Sequence, residues 1–398
     1  MRPLLFSNFT LTSCLGHGYG AALDALLQRR SGLRRCDFET VELDTWIGEV
    51  DGVDEVSIRF DLRDFDCRNN RLAQLGLRQD GFVDAVDALA RRFGRDRVGV
   101  FLGTSTGGIL QTELAYRRRD PQTGALPADF LYRTTHNPFA LADFTRRYLR
   151  LQGPAAVASS ACSSSAKVFG SARRMIEAGW IDAAVVGGVD SLCLTTLYGF
   201  NSLELLSSQP CRPFDAHRDG ISIGEAAAFG LLSRPPDNLD ADAILLLGVG
   251  ESSDAYHMSS PHPQGLGARL AMEGALAGAG LAAAAIDYIN LHGTATVSND
   301  AAEGKAVAAL FGASAVPCSS TKGATGHTLG AAGAVEAVIC AMALREGLLP
   351  GGAHTAAADP AIAVDYLLEN RRQRLARVLS NSFGFGGSNC SLVFGHAR

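Results

Sequence analysis

Short apolar runs alternate along the chain with longer amphipathic or Ala-rich stretches, and most of the runs end in a cluster of small residues. Arg97-Val98-Gly99-Val100-Phe101-Leu102 leads into Gly103-Thr104-Ser105, and Ala183-Ala184-Val185-Val186 leads into Gly187-Gly188. Ile286-Asp287-Tyr288-Ile289-Asn290-Leu291 precedes His292-Gly293-Thr294, and Ala376-Arg377-Val378-Leu379 precedes Ser380-Asn381-Ser382. Runs of this length and composition predict buried strands that end in turns, and the stretches between them have helical spacing. One such helix is expected over Ala166 to Gly179, with Gly179 as its stop. The alternation predicts an α/β protein with its chemistry at strand ends.

A polar, Pro-rich break, Ser233-Arg234-Pro235-Pro236-Asp237-Asn238, falls near the middle. Across it the chain echoes itself. Ser159-Ser160-Ala161-Cys162-Ser163-Ser164-Ser165 opens one charge-poor helix, and Cys318 to His327 opens another, expected over Leu329 to Leu344. Two like halves, 1–236 and 237–398, meeting through these helices, are the expected organisation.

Composition narrows this picture. The 398 residues are 47% hydrophobic, enough for a large core and too apolar for disorder. A formal net charge of −5 argues against nucleic-acid binding by bulk charge. The N-terminus has no apolar segment of signal-peptide type, and Ala331 to Leu344, the longest apolar stretch, is too short to span a membrane and carries Glu336. Nine scattered cysteines without a C-x-x-C pair predict reduced thiols and a cytoplasmic protein. No His/Cys/carboxylate cluster has ligand spacing, so no metal is expected. Of 36 basic residues only Lys167, Lys305 and Lys322 are lysines.

The candidate chemistry sits at the turns. Cys162 follows a strand-like segment at the expected N-terminus of a helix, where partial positive charge favours a thiolate. His292 lies just past a strand, and His327 opens a Gly/Ala-rich helix. A cysteine to carry an acyl group and two imidazole donors for an enolate oxygen would suit carbon–carbon bond formation through a thioester. Lys322 and Glu336 are expected as a buried ion pair, because neither charge is tolerable alone among small residues. Asp300 and Glu303, at i and i+3, share a helix face that reads as solvated. The glycines of Asn381 to Asn389 suit close backbone approach and N–H donation, although the order is not that of a phosphate loop.

Taken in order, six segments resemble the β-ketoacyl-(acyl-carrier-protein) synthases of fatty-acid and polyketide synthesis. They are Ala158 to Ser164; Arg212-Pro213-Phe214-Asp215 with Arg218-Asp219-Gly220; Ser252 to Met258; His292-Gly293-Thr294-Ala295-Thr296 with Asp300 and Glu303; Ser320-Thr321-Lys322 with Gly326-His327; and Asn381 to Asn389. The resemblance implies a thiolase-like fold with duplicated α-β-α-β-α layers, usually dimeric. It implies Cys162 as the acyl-accepting nucleophile, with His292 and His327 assisting malonyl decarboxylation. The N–H groups of Cys162 and Phe385 would form the oxyanion hole and the Phe385 ring a gate. Thr294 and Thr296 would contact phosphopantetheine, and Lys322, Glu336, Asp300 and Glu303 would order the histidines. No cofactor of its own is implied, since phosphopantetheine arrives on the carrier.

The Cys-His-His set resembles the elongating branch. A chain-length-determining partner would lack the cysteine, and a CoA-dependent thiolase would carry a second catalytic cysteine where this chain has Phe383-Gly384-Phe385. Departures from the family pattern are Gly224-Glu225-Ala226, Ala295, and Thr106 in the acyl-pocket segment. A hydroxyl at Thr106 points to a short, unsaturated or otherwise non-standard chain, as in polyene or polyketide clusters. An acidic carrier protein and a second copy or a paralogue are the expected partners. Candidate docking arginines are Arg63, Arg68 and Arg117 to Arg119, with a second cluster at Arg371, Arg372 and Arg374.

Overall fold

The computed structural model describes residues 2–397. The strands of its main sheet are β1 (Leu4–Ser13), β2 (Val98–Gly103), β3 (Ala155–Ala158), β4 (Ala183–Asp190), β5 (Ala226–Ser233), β6 (Ile244–Ser253), β7 (Tyr288–Asn290), β8 (Pro317–Ser319), β9 (Asp365–Tyr366), β10 (Arg377–Gly384) and β11 (Ser388–His396). Their order is β9-β8-β7-β10-β11-β6-β1-β5-β4-β2-β3, with the short strand Gly16–His17 on β1.

The order contains the duplication. In the first half the strands lie third-second-fourth-fifth-first, as β3-β2-β4-β5-β1, and in the second half β8-β7-β10-β11-β6 repeats it. The directions repeat as well: the first strand pairs antiparallel with the fifth, the fifth antiparallel with the fourth, and the remaining pairs are parallel. The two sets join where β1 pairs antiparallel with β6, Leu4 opposite Leu246 and Leu5 opposite Leu245. The Pro-rich break falls between β5 and β6.

Strand alternation sorts side chains into layers. Ala184 and Val186 of β4 and Ala226, Ala228 and Leu232 of β5 face the central layer, built on α4 (Ser164–Glu177) and α7 (Ala332–Glu346). Their alternates Ala183, Val185, Val189, Ala227, Phe229 and Leu231 face an outer layer of α1 (Arg68–Leu77), α2 (Phe82–Phe93) and α3 (Phe139–Tyr148). Across the second half, α5 (Leu266–Ala279) and α6 (Val297–Phe311) form the other outer layer with Leu379 and Val393. Every residue of α7 from Ala332 to Leu344 is buried, the mark of a helix packed on all sides. No helix of the described residues is long and apolar enough to cross a membrane.

The two central helices approach too closely for side chains. A Cβ on Gly333 would lie 2.6 Å from the Ala166 nitrogen and 2.7 Å from its Cβ; where strand β2 ends against α4, one on Gly103 would lie 2.2 Å from the Ser165 nitrogen. The Ser165 hydroxyl, 2.9 Å from the Ala334 N–H, fastens the same crossing. Gly333→Ala is expected to destabilise the protein by about 1–3 kcal/mol, because the obstructing atoms belong to another helix's backbone. A urea midpoint equal to that of wild type would contradict this packing.

The predicted elements sit where the pattern placed them, with two differences. The helix expected from Leu329 begins as a 3-10 turn, Leu329–Ala331, and becomes α-helical at Ala332. The glycine-dense segment is a hairpin tip: β10 runs on to Gly384, Phe385–Gly387 turn, and Gly384 pairs with Ser388. Ladder pairing with β11 carries the strand through residues whose composition reads as loop.

Candidate active site

Cys162 stands on the turn between β3 and α4, just ahead of the N-cap Ser163, as the sequence predicts. The turn is strained, with Ala161 at φ +51°, a left-handed conformation that costs about 1–2 kcal/mol for a residue with a Cβ. The Ser164 hydroxyl holds it, accepting from the Ser160 N–H at 2.8 Å and donating to the Ala161 carbonyl at 2.5 Å. Past the N-terminal ends of the two central helices the halves meet, and the histidines join the thiol there. His327 Nε2 lies 3.0 Å from Cys162 Sγ. The His292 and His327 rings meet edge to face, centroids 5.3 Å apart at 82°.

Burial governs the ionisation of all three. Cys162 is 5% exposed, and burial pushes its thiol up to about 11, against the lowering effects of Lys322 and the Phe385 N–H. The thiolate expected from the helix terminus is therefore not the resting form; desolvation outweighs the dipole. Burial first and the Lys322 charge second hold both imidazoles well below the ordinary histidine value, so both are neutral at pH 7. The site rests as a neutral thiol beside neutral bases.

Lys322 forms its expected ion pair with Glu336, both nearly inaccessible. Its ammonium also donates to the His292 carbonyl and lies 3.4 Å from His292 Nδ1. Three ammonium hydrogens thus meet three acceptors, which leaves the His292 proton on Nε2. Glu336 is further held by the Ser382 hydroxyl at 3.3 Å.

Asp300 and Glu303 share a helix face as predicted, but that face is buried, 0% and 1% exposed, which corrects the solvated reading. The turn after β7 folds over α6 and its amides need acceptors. Glu303 accepts from the His292 and Gly293 N–H groups, both at 2.8 Å, and from Asn381 Nδ2 at 3.1 Å. Asp300 accepts from the Thr294 N–H at 3.0 Å and the Phe214 N–H at 2.8 Å, and touches no histidine ring. Burial pushes Glu303 up to about 7 from an ordinary 4.5, despite those hydrogen bonds. The folded chain therefore holds a proton that the unfolded chain releases, and stability is expected to fall as pH rises from about 4.5 to 7. In Glu303→Gln this contribution to the pH slope of the urea midpoint should vanish; an unchanged slope would refute the assignment.

The hairpin tip closes the other side of the thiol. The Phe385 N–H is directed at the sulfur, and the Phe385 ring rests on Phe200 with centroids 5.6 Å apart. A cavity of about 50 Å³ adjoins Cys162, His292 and His327, with Phe200, Phe385, Thr294 and Thr296 on its wall. The Thr296 hydroxyl also caps α6, accepting from the Asn299 N–H at 3.4 Å.

Thr106 is not brought to this cavity. Its hydroxyl donates to Asp190 at 2.8 Å and accepts from the Ser191 N–H at 3.2 Å, so it is not offered to a ligand. Asp190, which sequence reasoning passed over, gathers Thr104, Ser105, Thr106 and the Gly330 N–H, tying the first half to the start of α7. Its signal was a carboxylate at the end of an all-apolar strand. Phe200 carried no signal, and Asn381 was marked only as the first residue of the glycine-dense segment, with no role of its own. Among the proposed docking arginines, Arg68 is 3% exposed and locked to Glu225, Glu49 and Asp54, so it cannot dock a carrier. Arg372 donates to the Glu346 carbonyl at the far end of α7, about 20 Å from the helix start near the site, which removes the second cluster from the cavity mouth.

The sequence profile of the beta-ketoacyl synthase N-terminal domain matches residues 51–238, and that of the C-terminal domain matches residues 244–356. A 3-oxoacyl-[acyl-carrier-protein] synthase 2 from Rhizobium meliloti is 38% identical over 310 residues, covering 74% of this chain and 73% of its own. One from Vibrio cholerae is 31% identical and covers 99% of both chains. Among solved structures, a chain of the complex of the ketosynthase ApeO with its chain length factor ApeC from Xenorhabdus doucetiae superposes with a TM-score of 0.89 at 39% identity, covering 100% of this chain and 98% of that one. The ishigamide ketosynthase/chain length factor superposes at 0.90 with 26% identity, covering 100% of both. On the repeated strand order, the two domain matches and the full-length relative, the chain belongs to the beta-ketoacyl synthase family.

Proposed function

We propose that the protein is an elongating β-ketoacyl-(acyl-carrier-protein) synthase. The observation that carries the reading is the Cys162 thiol 3.0 Å from a neutral, buried His327, with a second neutral imidazole against it. Attack of the Cys162 sulfur on an acyl-carrier thioester passes the thiol proton to His327 Nε2. The Cys162 and Phe385 N–H groups receive the oxyanion. The departing carrier thiolate takes the proton back, leaving the acyl group on sulfur. Malonyl-carrier then loses CO₂. His292 Nε2–H, fixed by Lys322 behind the ring, faces the developing enolate oxygen, and the enolate carbon attacks the acyl-cysteine. The C–S bond to Cys162 breaks, the β-ketoacyl-carrier leaves, and the expelled Cys162 thiolate takes up one proton from solvent to restore the thiol. Thr294 and Thr296, on the cavity wall, suit the phosphopantetheine arm of the carrier, and the chain needs no cofactor of its own.

The test is intact mass after exposure to acyl-carrier. One adduct equal to the acyl group is expected, discharged by malonyl-carrier as β-ketoacyl-carrier; a chain that never acylates is not a condensing enzyme. A non-catalytic partner role is disfavoured by the assembled triad, and a thiolase role by the absence of a second cysteine at the hairpin tip.

The partner we propose is a ketosynthase-like paralogue; ApeO is in complex with a chain length factor, and the ishigamide structure is likewise of a ketosynthase/chain length factor. Among the described residues the outer strand β3 pairs only with β2, so its other edge is open to a second chain, and Tyr132 and Phe139 are exposed apolar residues of the same half. Polyene or polyketide clusters remain the pathway class of this reading. For the acidic carrier, Arg63 and Arg117 to Arg119 stay exposed. Arg119→Glu is expected to raise KM for acyl-carrier several-fold at low salt with kcat unchanged; an unchanged KM excludes that patch.

A further inference from the structure

Cys162, His292 and His327 are 130 and 35 residues apart in sequence, so no ligand spacing announces them. The fold nevertheless sets one ligand-type atom from each within 4.8 Å of the others, all buried. We propose that this triad is also a reversible inhibitory site for a borderline-soft divalent cation of the zinc class, which captures the nucleophile before it is acylated. The inference rests on the reading of Cys162 as the nucleophile that carries the acyl group.

The donor set is a thiol and two imidazoles, the type that zinc takes in three-ligand sites with a fourth, open position. With Zn–S of about 2.3 Å and Zn–N of about 2.0–2.1 Å, tetrahedral ligand atoms lie about 3.3–3.6 Å apart. The 3.0 Å between Cys162 Sγ and His327 Nε2 is within a few tenths of an ångström of that, and the remaining separations close with shifts of about 1 Å. His327 Nδ1 has no hydrogen-bond partner among the described residues, so no bond holds that ring in a tautomer that would withhold Nε2 from a metal. Binding replaces the S–H bond by a metal–sulfur bond and releases the thiol proton to solvent, with no change of oxidation state.

Lys322 opposes the ion. Its ammonium is 3.4 Å from His292 Nδ1, and ligation through Nε2 would move the His292 proton to that nitrogen. The Glu336 carboxylate answers the lysine charge, and the Cys162 thiolate answers half the metal's charge. The balance fits an ion that binds reversibly and does not stay as a resident cofactor. It also ranks the ligands, since His327 coordinates without this cost and His292 does not.

Cobalt(II) is the probe, added to the chelator-treated, substrate-free protein. One equivalent should produce thiolate-to-cobalt charge-transfer absorption together with tetrahedral d–d bands, and Zn²⁺ should displace both. Cys162→Ser should lose the charge-transfer band, and so should wild type with its thiol blocked by iodoacetamide. Loss of an outer-shell partner already costs about 10–100-fold in metal affinity, so His327→Asn should weaken Zn²⁺ by at least that much. His292→Asn should weaken it less. Protein acylated at Cys162 should bind no Zn²⁺, and chelator should restore condensation to the inhibited enzyme. A missing charge-transfer band in wild type, or equal Zn²⁺ affinity in wild type and Cys162→Ser, overturns the proposal. Because cobalt binding is read without substrate, an enzyme that binds the ion yet never acylates would refute the condensing role and leave the metal site standing.

Discussion

Cys162→Ala is expected to form no acyl adduct and to lower kcat for condensation by on the order of 10³-fold or more, with the fold intact. The loss is large because the acyl group has no other carrier. Every other buried thiol whose ionisation is perturbed is also raised, and Cys162 is the one that faces an imidazole at 3.0 Å. Alanine removes one sulfur beside an existing cavity, so destabilisation should be slight. His292, Lys322 and Glu336 remain in place, so decarboxylation of malonyl-carrier should continue without an acyl acceptor. Intact mass, product formation and CO₂ release separate these outcomes. Equal acylation of the alanine variant would disprove the assignment of the nucleophile.

Breaking the buried ion pair is expected to have the largest effect on stability. Lys322→Met leaves Glu336 uncompensated at 2% exposure and should cost about 3–5 kcal/mol. Replacing both charges, Lys322→Met with Glu336→Leu, should recover most of that loss, because the main cost is one orphaned charge in a dry site. Activity should not recover with stability, since the His292 ring then lacks the ammonium that keeps its proton on Nε2. Urea midpoints for the two single variants and the double variant give the coupling, and single variants that lose less than about 1 kcal/mol would show that the pair is not the anchor described here.

The cysteine thiol also shows how local reasoning is overtaken. A helix N-terminus lowers a thiol's pKa, and Cys162 does stand at one. Whether the dipole prevails depends on how much water the site admits, which is set by Phe385, Phe200 and both histidines from distant parts of the chain. The closed site favours the neutral thiol, and a neighbouring base takes over the role expected of the dipole. Asp300 and Glu303 follow the same logic: their i, i+3 spacing places them on one face, and only the packing of the β7 turn onto α6 makes that face an interior one.

The sequence by itself determined much of the architecture and the identity of the reacting groups. Apolar runs of strand length, small residues at their ends and a charge-poor helix after each Ser/Thr-rich elbow are local signals, and they specify local structure because period and steric bulk act within a few residues. The ordered motifs added the family and the Cys-His-His set. What only the tertiary structure decided were the relations between segments far apart in sequence. These include Thr106 turned onto Asp190, Arg68 locked in an ion network, Phe200 set against Phe385, and three ligand atoms gathered from residues 130 and 35 positions apart. Such relations depend on burial, and burial is a property of the assembled layers that no stretch of sequence carries alone.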